Sequence, residues 1–142
     1  MTTRAPAVKS FLRDLLTDMP MTSADKLQVS YGYPVRSVER KWTFVGEITW
    51  DEIRWVTNRS REETFSITVG FSAQITGGTP EEVENYVTAM ASDFEAELAA
   101  NPGMSGLAIT SIFTPKRMNS WPVDPALYEA QFETVVTATC RP

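Results

Sequence analysis

Thr64-Phe65-Ser66-Ile67-Thr68-Val69-Gly70-Phe71-Ser72-Ala73-Gln74-Ile75 alternates without a break. Phe65, Ile67, Val69, Phe71 and Ala73 fall on one side of an extended chain, and Thr64, Ser66, Thr68, Gly70, Ser72 and Gln74 on the other, because successive strand side chains point to opposite faces. One apolar and one polar face is the pattern of an antiparallel sheet covered on one side only. Gly77-Gly78 then breaks the strand and Thr79-Pro80-Glu81-Glu82 opens a helix. Thr79 suits the N-cap, Pro80 the first helical position and Glu82 the third residue of a capping box. Val83, Tyr86, Val87, Met90, Phe94 and Leu98 recur at helical spacing as far as Asn101-Pro102-Gly103, which ends the run.

The flanks extend this unit. Val8, Phe11, Leu12, Leu15 and Leu16 make one face of a helix over 5–18, with Pro20 just beyond its end. Period-two alternation predicts strands over 27–33, 41–49, 107–114 and 128–140. In 41–49, Trp42, Phe44 and Gly46 share a face. In 128–140, Tyr128, Ala130, Phe132, Thr134, Val136, Ala138 and Cys140 share the apolar one. The order is α-β-β-β-α-β-β. Neither helix sits in a repeating β-α-β alternation, so the fold class is α+β: a mostly antiparallel sheet of about four to five strands with two helices on one face. The absence of repeats and of composition breaks makes 1–142 one domain.

Composition narrows the chemistry. The chain has 142 residues, a formal charge of −5, no histidine and one cysteine. Without histidine there is no Ser-His-Asp triad, no Cys-His pair and no imidazole metal ligand. Cys140 alone forms neither an internal disulfide nor a cysteine zinc site, and on an apolar strand face it reads as a buried free thiol. The acidic balance argues against nucleic-acid recognition, which needs clustered Lys and Arg. No run approaches the roughly 20 apolar residues of a membrane helix, and Arg4, Lys9, Arg13 and Asp14 interrupt any signal-peptide core. The expected compartment is a cytoplasm, with no cofactor and no metal.

The stretch from Gly46 to Glu63 is the most informative for function. It carries Trp50, Asp51, Trp55, Asn58, Arg59 and Arg61 and lacks the glycine turn of a tight hairpin. Two readings stay open: a long charged loop that makes contacts, since Trp and Arg are enriched at interface hot spots, or two strands that simply extend, with the indoles covering a sheet edge. Asp51-Glu52 and Glu62-Glu63 read as solvated acids, since neighbours on a strand point apart and neither pair converges. Arg36, Arg40, Lys41, Arg54, Arg59 and Arg61 make 36–61 basic, whereas 62–115 contains no Lys or Arg. Such opposed regions favour head-to-tail self-association, in which unlike surfaces meet. Trp121, in Trp121-Pro122-Val123-Asp124 before the last strand, reads either as a packed loop or as an exposed contact.

Four features together resemble the tail terminator proteins of long-tailed bacteriophages, particularly phages of actinobacteria. They are the amphipathic opening helix 5–18; Arg40-Lys41-Trp42-Thr43-Phe44-Val45-Gly46-Glu47 running on through Trp50-Asp51 and Trp55; Asn58-Arg59-Ser60-Arg61-Glu62-Glu63-Thr64-Phe65; and Trp121-Pro122 before Tyr128-Glu129-Ala130-Gln131. The resemblance implies a small α/β domain that forms a hexameric ring on the end of the tail tube, halts tube polymerisation and presents a surface to the head connector. It implies a non-enzymatic virion protein of the tail or neck, assembled in the host cytoplasm, whose partners are its own copies, the tail tube protein and a head–tail connector. Trp50, Asp51, Trp55, Asn58, Arg59, Arg61 and Trp121 are then the expected subunit or tube interface. Arg59 and Arg61 would pair with acids on the 79–99 helix of a neighbour. Another neck component, such as a head-completion or tail-to-head joining protein, shares the element order. A small carboxylate hydrolase or ligand-binding domain is the reading from a different class, and its sign would be two acids converging in a deep pocket.

Overall fold

A computed structural model describes residues 2–33, 40–55 and 61–142, Glu52 by its backbone alone. The elements are α1 (Ala5–Asp18), α2 (Pro20–Asp25), β1 (Gln28–Tyr31), β2 (Lys41–Trp55), β3 (Arg61–Thr76), α3 (Pro80–Ala100), β4 (Thr110–Asp124) and β5 (Leu127–Cys140), with a 3₁₀ turn at Met104–Gly106. The fold is α+β. The five strands form one sheet in the order β1-β2-β3-β5-β4. Every pairing is antiparallel except β1 with β2, which is parallel. Alternation places residues on faces but carries no information on strand direction, which is why a mostly antiparallel expectation meets one parallel pair.

Phe65, Ile67, Val69, Phe71 and Ala73 are all buried on the side of the sheet that meets the helices. They join Val8, Leu12 and Leu16 of α1, Val87, Met90 and Phe94 of α3, and Ala130, Val136 and Ala138 of β5 in one cluster. The helices occupy one face because each has a single apolar stripe to bury. α3 begins as its sequence dictates: Glu82 N–H donates to Thr79 Oγ1 at 3.2 Å, with Pro80 in the first turn. The opposite sheet face is open and carries hydroxyls, with Thr64 and Thr139, and Ser66 and Thr137, bonded across strands at 3.1 and 3.0 Å.

Three elements differ from the sequence reading. Pro20 does not merely follow α1; it opens the short α2, whose first turn is capped from another element, Met21 N–H donating to Asp93 Oδ2 of α3 at 2.9 Å. The strand read as 41–49 continues to Trp55, and the strand read from Thr64 starts at Arg61. The strand read as 107–114 begins at Thr110 and runs on to Asp124, so Trp121 sits in a strand and not in a loop. β4 is an edge strand, where proline costs no ladder hydrogen bond if its nitrogen faces outward, and it accommodates both Pro115 and Pro122.

Candidate functional site

Beyond Val45 the β2–β3 pair projects past the point where β1 ends. β1 pairs with β2 only from Trp42 to Val45, and Gly32 N–H donates to the Val45 carbonyl at 2.7 Å. The pairing of β2 with β3 continues from Ile48 opposite Ile67 to Trp55 opposite Arg61, through two register shifts, at Val45/Ile48 and Trp50/Glu52. Each shift inserts a residue and moves the alternation by one step. As a result Trp50 and Ile53 come to lie on the helix-facing side with Phe65 and Glu63, and Trp55 with Arg61. Trp50, Ile53 and Trp55 are 40%, 43% and 65% exposed, a row of large apolar groups open to solvent. Trp50 leans on Phe65, ring centroids 6.3 Å apart.

The remaining candidates separate. Asp51 is exposed on the open face and accepts from Ser66 Oγ at 2.7 Å. Asn58 and Arg59 lie outside the described residues. Arg61 turns back onto its own chain, donating to the Thr2 carbonyl and standing 3.6 Å from Glu63 Oε2, with its side chain only 13% exposed. Trp121, on β4 at the far side of the sheet from β2, pairs with Glu129 of β5. Three strand spacings, roughly 14 Å, separate β4 from β2, so the fold unites Trp50, Asp51 and Trp55 and leaves Trp121 elsewhere.

Glu63 corrects the expectation that both acids of its pair are solvated. Its side chain is fully buried, opposite Cys140 in the β3–β5 pairing. Oε1 accepts from Thr3 Oγ1 at 2.6 Å and from Arg4 N–H at 3.0 Å, so this carboxylate anchors the start of α1. Arg4 in turn donates to the Gly106 and Leu107 carbonyls at 2.8 and 3.1 Å. The signal was present in the sequence: Glu63 is in phase with Phe65, Ile67 and Val69, and so belongs to the buried face. Cys140 beside it is buried, and desolvation, reinforced by the Glu63 charge, pushes its thiol up to about 11.

On the open face Phe44 lies flat on Gly70, its register partner. A methyl group on Gly70 would sit 2.1 Å from the Phe44 ring. Trp42 stacks on Phe44 at 5.2 Å, and Tyr33 meets both edge-on at 5.6 and 5.2 Å. Tyr33 and Phe44 wall a shallow groove of about 560 Å³ that also takes in Glu47, Arg117, Gln131 and Glu133. Glu133 is held by Arg117, Nε to Oε2 at 2.8 Å. Among the described residues no group of three or more acidic or thiol side chains is placed to hold a metal ion, and no helix is long and apolar enough to cross a membrane. What the geometry offers is contact surface: a strand edge, the exposed Trp50, Ile53 and Trp55, and an open face of hydroxyls and aromatic rings with a shallow groove.

No family model matches the chain, and no curated protein matches it by sequence. Among solved structures, a chain of the virion of a native gene transfer agent particle is similar over nearly its whole length. The match covers 98% of this chain and 99% of that one, with a TM-score of 0.53 and 9% identity. At that identity the likeness is one of fold.

Proposed function

We propose that the chain is a structural virion protein, a tail terminator that forms a ring on the tail tube, stops its polymerisation and offers the head connector a docking surface. The observation that carries the proposal is the fold likeness to a virion component over 98% of this chain and 99% of that one. The exposed Trp50, Ile53 and Trp55 support it, since large aromatic groups kept in water are the material of an interface. The resemblance of the Arg40–Trp55, Asn58–Phe65 and Trp121–Gln131 stretches to tail terminators supplies the station within the virion.

The work of such a protein is done by shape and by mass action. Each copy contributes one edge and one apolar row, and a ring closes when the rotation between neighbours divides the circle. Electron microscopy of tails assembled without this chain tests the reading. Tubes of excessive and variable length are expected. Tubes of normal length that fail to join heads would overturn it in favour of a joining protein.

A further inference from the structure

Resting on that ring reading, we propose that neighbouring copies join edge to edge: the free outer edge of β2 in one copy continues the sheet along the outer edge of β4 in a second copy, and Trp50 seats beside β4 of that neighbour. Among the described residues no strand covers the outer edge of β2 from Gly46 to Trp55, whose other edge is paired to β3. Among the described residues the other outer edge of the sheet is β4. A contact between two different edges is heterologous, the kind that builds a ring when the rotation between neighbours closes and an open filament when it does not.

Strand direction agrees. β2, β3, β5 and β4 are successively antiparallel, so β4 runs opposite to β2. A neighbour turned about an axis lying along the strands keeps those directions and presents β4 antiparallel to β2.

Level agrees as well. Reading the register across the sheet, Thr49 aligns with Ser66, Thr137 and Ile112, and Trp50 with Phe65, Ala138 and Ser111. Ile48–Glu52 of β2 is therefore level with Thr110–Phe113 of β4, and Ile53–Trp55 reach past the start of β4. The remainder of β4 is blunted by Pro115, the register shift after it, and Pro122, devices that keep strand edges from pairing. Thr110–Thr114 is the part of β4 without them, and the regular part of the β2 edge, Ile48–Trp50 between its own two register shifts, lies at that level.

Side chains complete the fit. Between β4 and the end of α3 lies a groove of about 350 Å³ whose walls include Leu98, Ala99, Pro102, Ser111 and Phe113. It lies at the level of Trp50, whose indole projects on the helix-covered side. Ile109, in phase with Ser111 and Phe113 and 52% exposed, extends the apolar surface beside it. Exposed Glu47, at the start of the free stretch of β2, comes near exposed Lys116, so the charges at that end are of opposite sign.

The test is cross-linking of the full chain carrying Thr49→Cys and Ile112→Cys, exposed positions on the open face, with a bismaleimide reaching about 10 Å, which spans neighbouring strands. Buried Cys140 stays out of the reaction. It is run on purified protein at high concentration and on assembled particles. The double variant is expected to give a ladder of covalent oligomers ending in a closed species, and each single variant none. Trp50→Ala is expected to raise the concentration needed for assembly by roughly 30-fold, the loss typical of an interface hot spot. Dimers from a single variant, or no cross-link in a preparation whose native mass is that of a ring, would overturn the edge pairing while leaving the ring reading intact. Monomers alone, both free and in particles, would overturn both.

Discussion

Replacing Glu63 by alanine is expected to cost about 3–5 kcal/mol of folding stability. The carboxylate is fully buried and accepts from Thr3 Oγ1 at 2.6 Å and from Arg4 N–H at 3.0 Å. A hydrogen bond to a charged group contributes about 1.5–3 kcal/mol. Removing one member of a buried pair costs about 3–5 kcal/mol, because the other charge is stranded. Arg61 retains the Thr2 carbonyl and is 13% exposed, so its stranding is partial and the two figures overlap instead of adding. At about 3–4 °C per kcal/mol for a domain of this length, the midpoint of thermal unfolding falls by roughly 10–20 °C. Glu63→Gln keeps an acceptor for Thr3 and Arg4 and loses only the charge, so its cost is about 1–2 kcal/mol. Urea unfolding at constant m-value measures both variants, and hydrogen exchange at the first amides of α1 reports the loosened anchor. A Glu63→Ala protein within about 1 kcal/mol of the parent would refute the reasoning, since it would mean the N-terminal segment is not held by this carboxylate.

Gly70→Ala drives a methyl group into the Phe44 ring, which Trp42 and Tyr33 hold in place; overpacking exceeds the gain from replacing a strand glycine, and a net loss of about 1–2 kcal/mol is expected by denaturant titration. Thr79→Ala removes the acceptor for Glu82 N–H and should cost about 1 kcal/mol, read in the same way, with Thr79→Ser close to neutral. The Cys140 thiol is raised from 9.0 to about 11 in the folded chain. The unfolded chain therefore sheds this proton first, and stability declines as pH rises from about 9 towards 11. Burial and the bond to Asp25 raise Tyr86 as well, so it contributes in the same direction at higher pH. Unfolding midpoints across that window, compared with Cys140→Ala, isolate the thiol, and a variant that declines just as steeply would remove it from the account.

What the sequence disclosed follows from where alternation is unbroken. β3 and β5 keep one phase throughout, so their faces were legible to the residue, as was the Thr79-Pro80 start of α3. β2 was legible only to its first register shift. After it the apolar residues move from Trp42 and Phe44 on the open side to Trp50 and Ile53 on the helix-covered side, and a strand whose phase changes twice in a few residues reads as a charged loop. Pro115 and Pro122 concealed the length of β4 in the same manner, because only knowledge that it is an edge strand makes them admissible. The interface-type residues Trp50, Asp51 and Trp55 were visible from composition, but their exposure was not, since it depends on β1 stopping at Tyr31. Arg61 and Glu63 exchanged roles: the arginine expected outside is largely covered, and the acid expected in water is buried. Both follow from strand phase once β3 is known to start at Arg61.

The most direct test of the central claim is a cryo-electron microscopy reconstruction of the assembled particle in which this chain is located. A single closed ring of copies is expected at the head-proximal end of the tail tube, its subunits joined with Trp50 of each beside β4 of the next. Copies distributed along the tube, or density for the chain only within the head, would contradict it.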